Sequence, residues 1–172
     1  SLQPLRVSPT PAHADTLKTA AIDGYISQRL ASEGIVAAPQ AARRDQVRRL
    51  YFGLTGLPPA AETVRQVEAA ADFETAYRGL IDELLASPHY GETFARHWMD
   101  VARYGESVTL RGMVFREAWR YRDYLIRSYR EDRPFDQMIR EQIAGDLLTA
   151  ADQDERWMQL VATGFLAMGD TN

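Results

Sequence analysis

The chain has 172 residues, 45% hydrophobic and 26% charged, with a net charge of −4 and no cysteine. This is the balance of a folded globular chain long enough to bury a core, not of a disordered or fibrous one. It excludes disulfides, thiolate metal sites and thioether-linked cofactors within these residues, and no apolar run of about 18 residues exists to span a membrane.

Residues 1–13 contain Pro4, Pro9 and Pro11 and read as an extended lead-in or linker, and 14–172 read as one helical domain. The opening Ser1-Leu2-Gln3-Pro4-Leu5-Arg6 lacks the basic-then-apolar order of a signal peptide. Beyond it every long segment repeats its apolar residues at a 3.6-residue period, and none alternates as a strand does. The predicted fold is therefore all-α, a single compact domain of about seven or eight helices. The first helix is predicted over 15–32, with Ala21, Ile22, Tyr25, Ile26 and Leu30 inward and Gly34 as its stop. The second spans 40–53 and buries Val47, Leu50, Tyr51 and Leu54. Thr55-Gly56-Leu57-Pro58-Pro59 makes a sharp turn, because glycine allows positive φ and the prolines cannot continue a helix. A short polar helix covers 60–70. A fourth starts near Asp72, with Phe73, Tyr77, Leu80, Ile81, Leu84 and Leu85 on one stripe.

Ser87-Pro88 reads as an N-cap and first-turn proline for the fifth helix. Residues 105–114, with Gly105 and Gly112, read as a mobile loop. Helices over 115–129, 132–148 and 154–168 complete the chain, with Asp132-Arg133-Pro134 opening the middle one.

The polar groups on these helices are unusually dense. At 100° per residue, Phe94, Trp98, Val101 and Ala102 share one face of the fifth helix, and His97, Asp100 and Tyr104 share another. A His–Asp pair three residues apart serves either acid–base chemistry, with the carboxylate orienting the imidazole, or an interhelical hydrogen-bond network. On the sixth helix Ala118, Trp119, Leu125, Ile126 and Tyr129 surround Arg122, and on the seventh Phe135, Ile139, Gln142 and Ile143 surround Asp146. An arginine centred on an apolar stripe requires a carboxylate, so Arg122 is expected to be buried against Asp146, with Asp100 as competitor. The candidate pocket or network is thus His97, Asp100, Arg103, Tyr104, Arg120, Arg122 and Asp146. Residues 96–133 carry nine arginines against six acids, a local charge of +3 in an acidic chain. Three histidines without cysteine leave no metal-ligand spacing, and neither a phosphate-binding glycine loop nor a nucleophile elbow occurs.

Several segments, in order, resemble the planctomycete cytochrome c-associated domain, a domain of unknown function. They are Ile22-Asp23-Gly24-Tyr25-Ile26, Arg48-Arg49-Leu50-Tyr51-Phe52-Gly53-Leu54-Thr55-Gly56-Leu57-Pro58-Pro59, and Leu84-Leu85-Ala86-Ser87-Pro88-His89-Tyr90-Gly91-Glu92. Arg96-His97-Trp98-Met99-Asp100-Val101-Ala102-Arg103-Tyr104, Ala118-Trp119-Arg120-Tyr121-Arg122-Asp123-Tyr124, Glu141-Gln142-Ile143-Ala144-Gly145-Asp146 and Ala162-Thr163-Gly164-Phe165-Leu166 follow. The resemblance implies one domain of a large exported protein, periplasmic or extracellular, beside a c-type cytochrome-like domain. Its pattern continues past residue 172 toward a Cys-x-x-Cys-His-like segment, so the chain is expected to be part of something longer. Any haem would then sit elsewhere in the full-length protein, with no cofactor and no metal in this chain. The resemblance carries no catalytic residue.

The function expected on these grounds is a helical accessory or scaffold module, without catalysis of its own, whose partners are adjacent domains of the same polypeptide. One alternative is a carbohydrate-active or redox enzyme domain with a polar pocket around His97 and Asp100, which would make a carbohydrate a further partner. Another is a polyanion-binding module using 96–133, which the acidic isoelectric point near 5.4 disfavours for nucleic acid.

Overall fold

The computed structural model describes residues 18–108 and 113–167. The expected lead-in 1–13, Gly112 and the last residues of the chain lie outside them. Eight α-helices occur among the described residues: α1 Lys18–Ser32, α2 Arg43–Thr55, α3 Ala61–Glu68, α4 Phe73–Leu85, α5 Pro88–Val101, α6 Ala118–Arg130, α7 Phe135–Ala144 and α8 Gln153–Ala162. Two 3-10 turns, Gly145–Leu147 and Thr163–Ala167, follow α7 and α8. The fold is all-α, as the periodicity predicts.

The caps show why the boundaries fall where they do. Asp72 accepts from the backbone N–H of Thr75 at the start of α4, Ser87 from that of His89 at α5, and Asp152 from that of Glu155 at α8. Pro88 occupies the first turn of α5, where its missing N–H costs nothing. α2 runs two residues past its predicted end and is closed by Gly56 at φ 67, the left-handed cap that glycine adopts without strain.

The chain divides into two compact units, 1–41 and 42–172. The first contains α1, where Ile22 and Ile26, expected to point inward, are exposed. In the second, α2, α3 and α4 gather around Val47, Leu80 and Leu84. α5 to α8 enclose the larger core of Ala95, Ala102, Tyr121, Tyr124, Leu125, Met138, Met158 and Ala162. α5 and α6 form the most extensive helix pair, and α2 packs on α5 to join the two clusters. Of the segment 105–114, expected to be a mobile loop, the described ends form a short antiparallel pairing between strands β1 Ser107–Val108 and β2 Met113–Val114.

Two helices are rotated from expectation. α6 buries Tyr121, Tyr124, Leu125 and Ser128, not a face centred on Arg122, and Trp119 is 40% exposed. Tyrosine rings supply the apolar area, and their hydroxyls are satisfied inside the core. α7 buries Met138, Glu141 and Gln142. It ends at Ala144, so the 3-10 turn breaks the 100° progression and carries Asp146 outward.

Candidate functional site

The buried ionic network expected between Arg122 and Asp146 is not the one the fold makes. Arg122 lies at the surface, donating from Nε to Asp123 at 3.0 Å and from Nη1 to Glu106 at 3.1 Å. Asp146 is exposed and engages Arg156 only through its backbone carbonyl. The buried charge pair belongs to Arg133 and Glu141. Glu141 is fully buried, accepts from Arg133 Nη1 at 2.6 Å and from Gln137 Nε2 at 2.9 Å, and takes the Tyr124 hydroxyl on its second oxygen at 2.8 Å. The turn after α6 makes this possible. Asp132 adopts φ 50 and the Arg133 N–H bonds back to the Ser128 carbonyl, which brings Arg133 alongside α7. A second buried set joins α5, α6 and α7: Gln142 Oε1 accepts from Trp98 Nε1 at 2.8 Å and from the Tyr121 hydroxyl at 2.6 Å. Burial pushes the Tyr121 phenol up to about 12, and burial together with Glu141 pushes Tyr124 higher still.

The remaining candidates separate into three places. His97 and Asp100 are exposed on α5, and no hydrogen bond joins them. His97 forms a T-shaped pair with Phe94, with ring centroids 6.0 Å apart. Tyr104 and Arg122 converge on Glu106, whose Oε1 accepts from both. Burial first, and Glu106 second, raise the Tyr104 phenol to about 12. Arg103 and Arg120 line a cleft.

That cleft, of about 510 Å³, lies between the start of α6 and the end of α8, a size usual for small-molecule sites. Its walls are mainly apolar, with Phe115, Leu160 and Val161 prominent; its charged residues, among those described, are Arg103, Arg120 and Glu117. Arg103 follows the last residues of α5 at φ 55, a left-handed position usually given to glycine, while the next N–H, of Tyr104, bonds back to the Met99 carbonyl. Arg120 is held on three sides. Its guanidinium carbon lies 4.7 Å from the Trp119 ring centroid and 5.2 Å from that of Trp157, and its Nε donates to Glu117 at 2.5 Å. Trp157 is 48% exposed. Sequence reasoning picked out Arg103 and Arg120 but missed Glu117, Phe115 and Trp157, because only the packing of α6 on α8 brings these segments together.

Among the described residues no three His, Asp or Glu gather as a metal site, and no helix is long and apolar enough to cross a membrane. No curated protein and no solved structure matches the chain. One family model does, across residues 21–172, from the helix of the first unit through the cleft-forming segments of the second. The chain therefore belongs to the PSCyt2 family, described as a protein of unknown function (DUF1549).

Proposed function

We propose that the chain is a helical binding module, without catalysis of its own, of a larger exported protein that also carries a c-type cytochrome-like domain. The family membership and the ordered motifs support the context. The observation that supports binding over catalysis is the separation of the candidate groups. His97 and Asp100, the pair suited to acid–base work, stand apart and exposed, while Arg103, Glu117 and Arg120 frame a largely apolar cleft. Neighbouring domains of the same polypeptide are the expected partners.

Polyanion binding gains less support than the local charge of +3 suggests, because several of the nine arginines behind it are engaged with carboxylates. Arg120 pairs with Glu117, Arg122 with Glu106 and Asp123, Arg127 with Glu131 and Asp154, and Arg133 with Glu141.

The test is the visible spectrum of the full-length natural protein, with and without this domain. Covalent haem bands that persist when the domain is deleted are expected. A full-length protein without haem bands overturns the cytochrome context.

A further inference from the structure

The cleft and the two tryptophans beside it describe a receptor for one kind of ligand. Arg120 lies within cation–π distance of the Trp119 and Trp157 indoles, which limits how far its guanidinium can wander. Glu117 takes the Nε edge, and neither Nη nitrogen has a partner among the described residues. A guanidinium so restrained, with two nitrogens unused, is prepared for bidentate binding of a carboxylate. Among the described residues that line the cleft Glu117 is the only carboxylate and is already engaged by Arg120, so an incoming anion meets there a net positive rim completed by Arg103. The rest of the wall offers Phe115, Leu160 and Val161, surfaces that gain by covering an apolar ring and gain little from a purely hydrophilic molecule.

We propose that the cleft binds an amphipathic organic acid, an aromatic ring bearing a carboxylate on a short side chain, with the acid on Arg120 and the ring against Phe115, Leu160 and Val161. The proposal rests on reading the cleft as a binding site. It is independent of the cytochrome context, so failure of the haem test leaves it standing and its own failure leaves that context intact.

The experiment titrates the 172-residue chain with 4-hydroxycinnamate, with the neutral 4-hydroxycinnamamide and with acetate, following backbone amide resonances and tryptophan fluorescence. The expected result is saturable binding of 4-hydroxycinnamate, with shifts centred on 115–121 and 157–164. The amide and acetate should each bind at least about tenfold more weakly, since one lacks the charge and the other the ring. Arg120→Gln should weaken 4-hydroxycinnamate by about tenfold or more, Trp157→Ala should weaken it by loosening the clamp, and Arg140→Gln, away from the cleft, should change nothing. Absence of saturable binding, equal binding of the amide or of acetate, or unchanged affinity in a folded Arg120→Gln overturns the proposal. The ligand comparison uses the unmodified chain and stands even if a variant fails to fold.

Discussion

At the scale of single residues, the buried carboxylate of Glu141 is the most exacting group in the domain. It is fully buried and satisfied by Arg133, Gln137 and Tyr124 together. Removing one member of such a set strands the other, which costs about 3–5 kcal/mol. Arg133→Met and Glu141→Leu should each lower the unfolding free energy in urea by that order, and the double variant should lose much less than their sum. Arg122→Met should fall within about 1 kcal/mol of the parent, because Arg122 is an exposed partner of Glu106 and Asp123. The sequence announced that a buried arginine–carboxylate pair was needed but not which one. Arg122 sits among apolar letters and Arg133 sits in a turn, and only the left-handed Asp132 turns the latter inward.

The buried phenols make a second prediction. An unfolded tyrosine ionises near its ordinary value of about 10, whereas Tyr121 holds its proton to about 12 and Tyr124 holds it beyond that. Stability present below about pH 10 is therefore lost as pH rises above it, because the unfolded chain releases these protons first. Urea midpoints should fall through this alkaline range, and Tyr121→Phe should flatten the fall.

At the scale of elements, two glycines within the family-like segments serve close approach. A Cβ on Gly91 of α5 would come within 2.7 Å of the Ile126 carbonyl oxygen on α6, and one on Gly145 would collide with the Gln159 carbonyl on α8. Gly91→Ala and Gly145→Ala should each lower stability by about 1–3 kcal/mol, since backbone has to yield. Gly53→Ala in α2 and Gly79→Ala in α4 meet open space within helices and should gain up to about 1 kcal/mol; thermal unfolding of the four variants separates the classes. Helix existence and starts were legible because caps and periodicity are local: Asp72 and Ser87-Pro88 begin the predicted helices. The facing of α6 was not. Leaving Tyr121 and Tyr124 off the stripe that includes Tyr129 places Arg122 inward, and the internal acceptors that make these two buried tyrosines acceptable come from α7, another element entirely.

For the whole molecule, the candidate site was legible as parts and not as an assembly. Arg103 and Arg120 stand among the candidates read from the sequence, in one group with His97 and Asp100. The cleft instead joins the end of α5 to α6 and α8. The core that holds these parts consists of apolar clusters and of the hydrogen-bonded Tyr121, Tyr124, Glu141 and Gln142. With no three His, Asp or Glu gathered among the described residues, a strong chelator should leave the melting temperature unchanged. A fall of many degrees would reveal a metal contributing to folding.

Gln142 gives this core a further property. Its carbonyl oxygen receives Trp98 from α5 and Tyr121 from α6, while its amide nitrogen donates to the Met138 carbonyl within α7. Greasy contacts tolerate sliding; this amide does not, because a shift of α7 by one residue would abandon both cross-helix bonds at once. Gln142→Leu should accordingly keep its far-ultraviolet helix signal while its near-ultraviolet aromatic bands and side-chain resonances broaden. Three helices would still be collapsed together, but several neighbouring registers would become nearly equal in energy, and the one arrangement that shapes the cleft would be diluted among them.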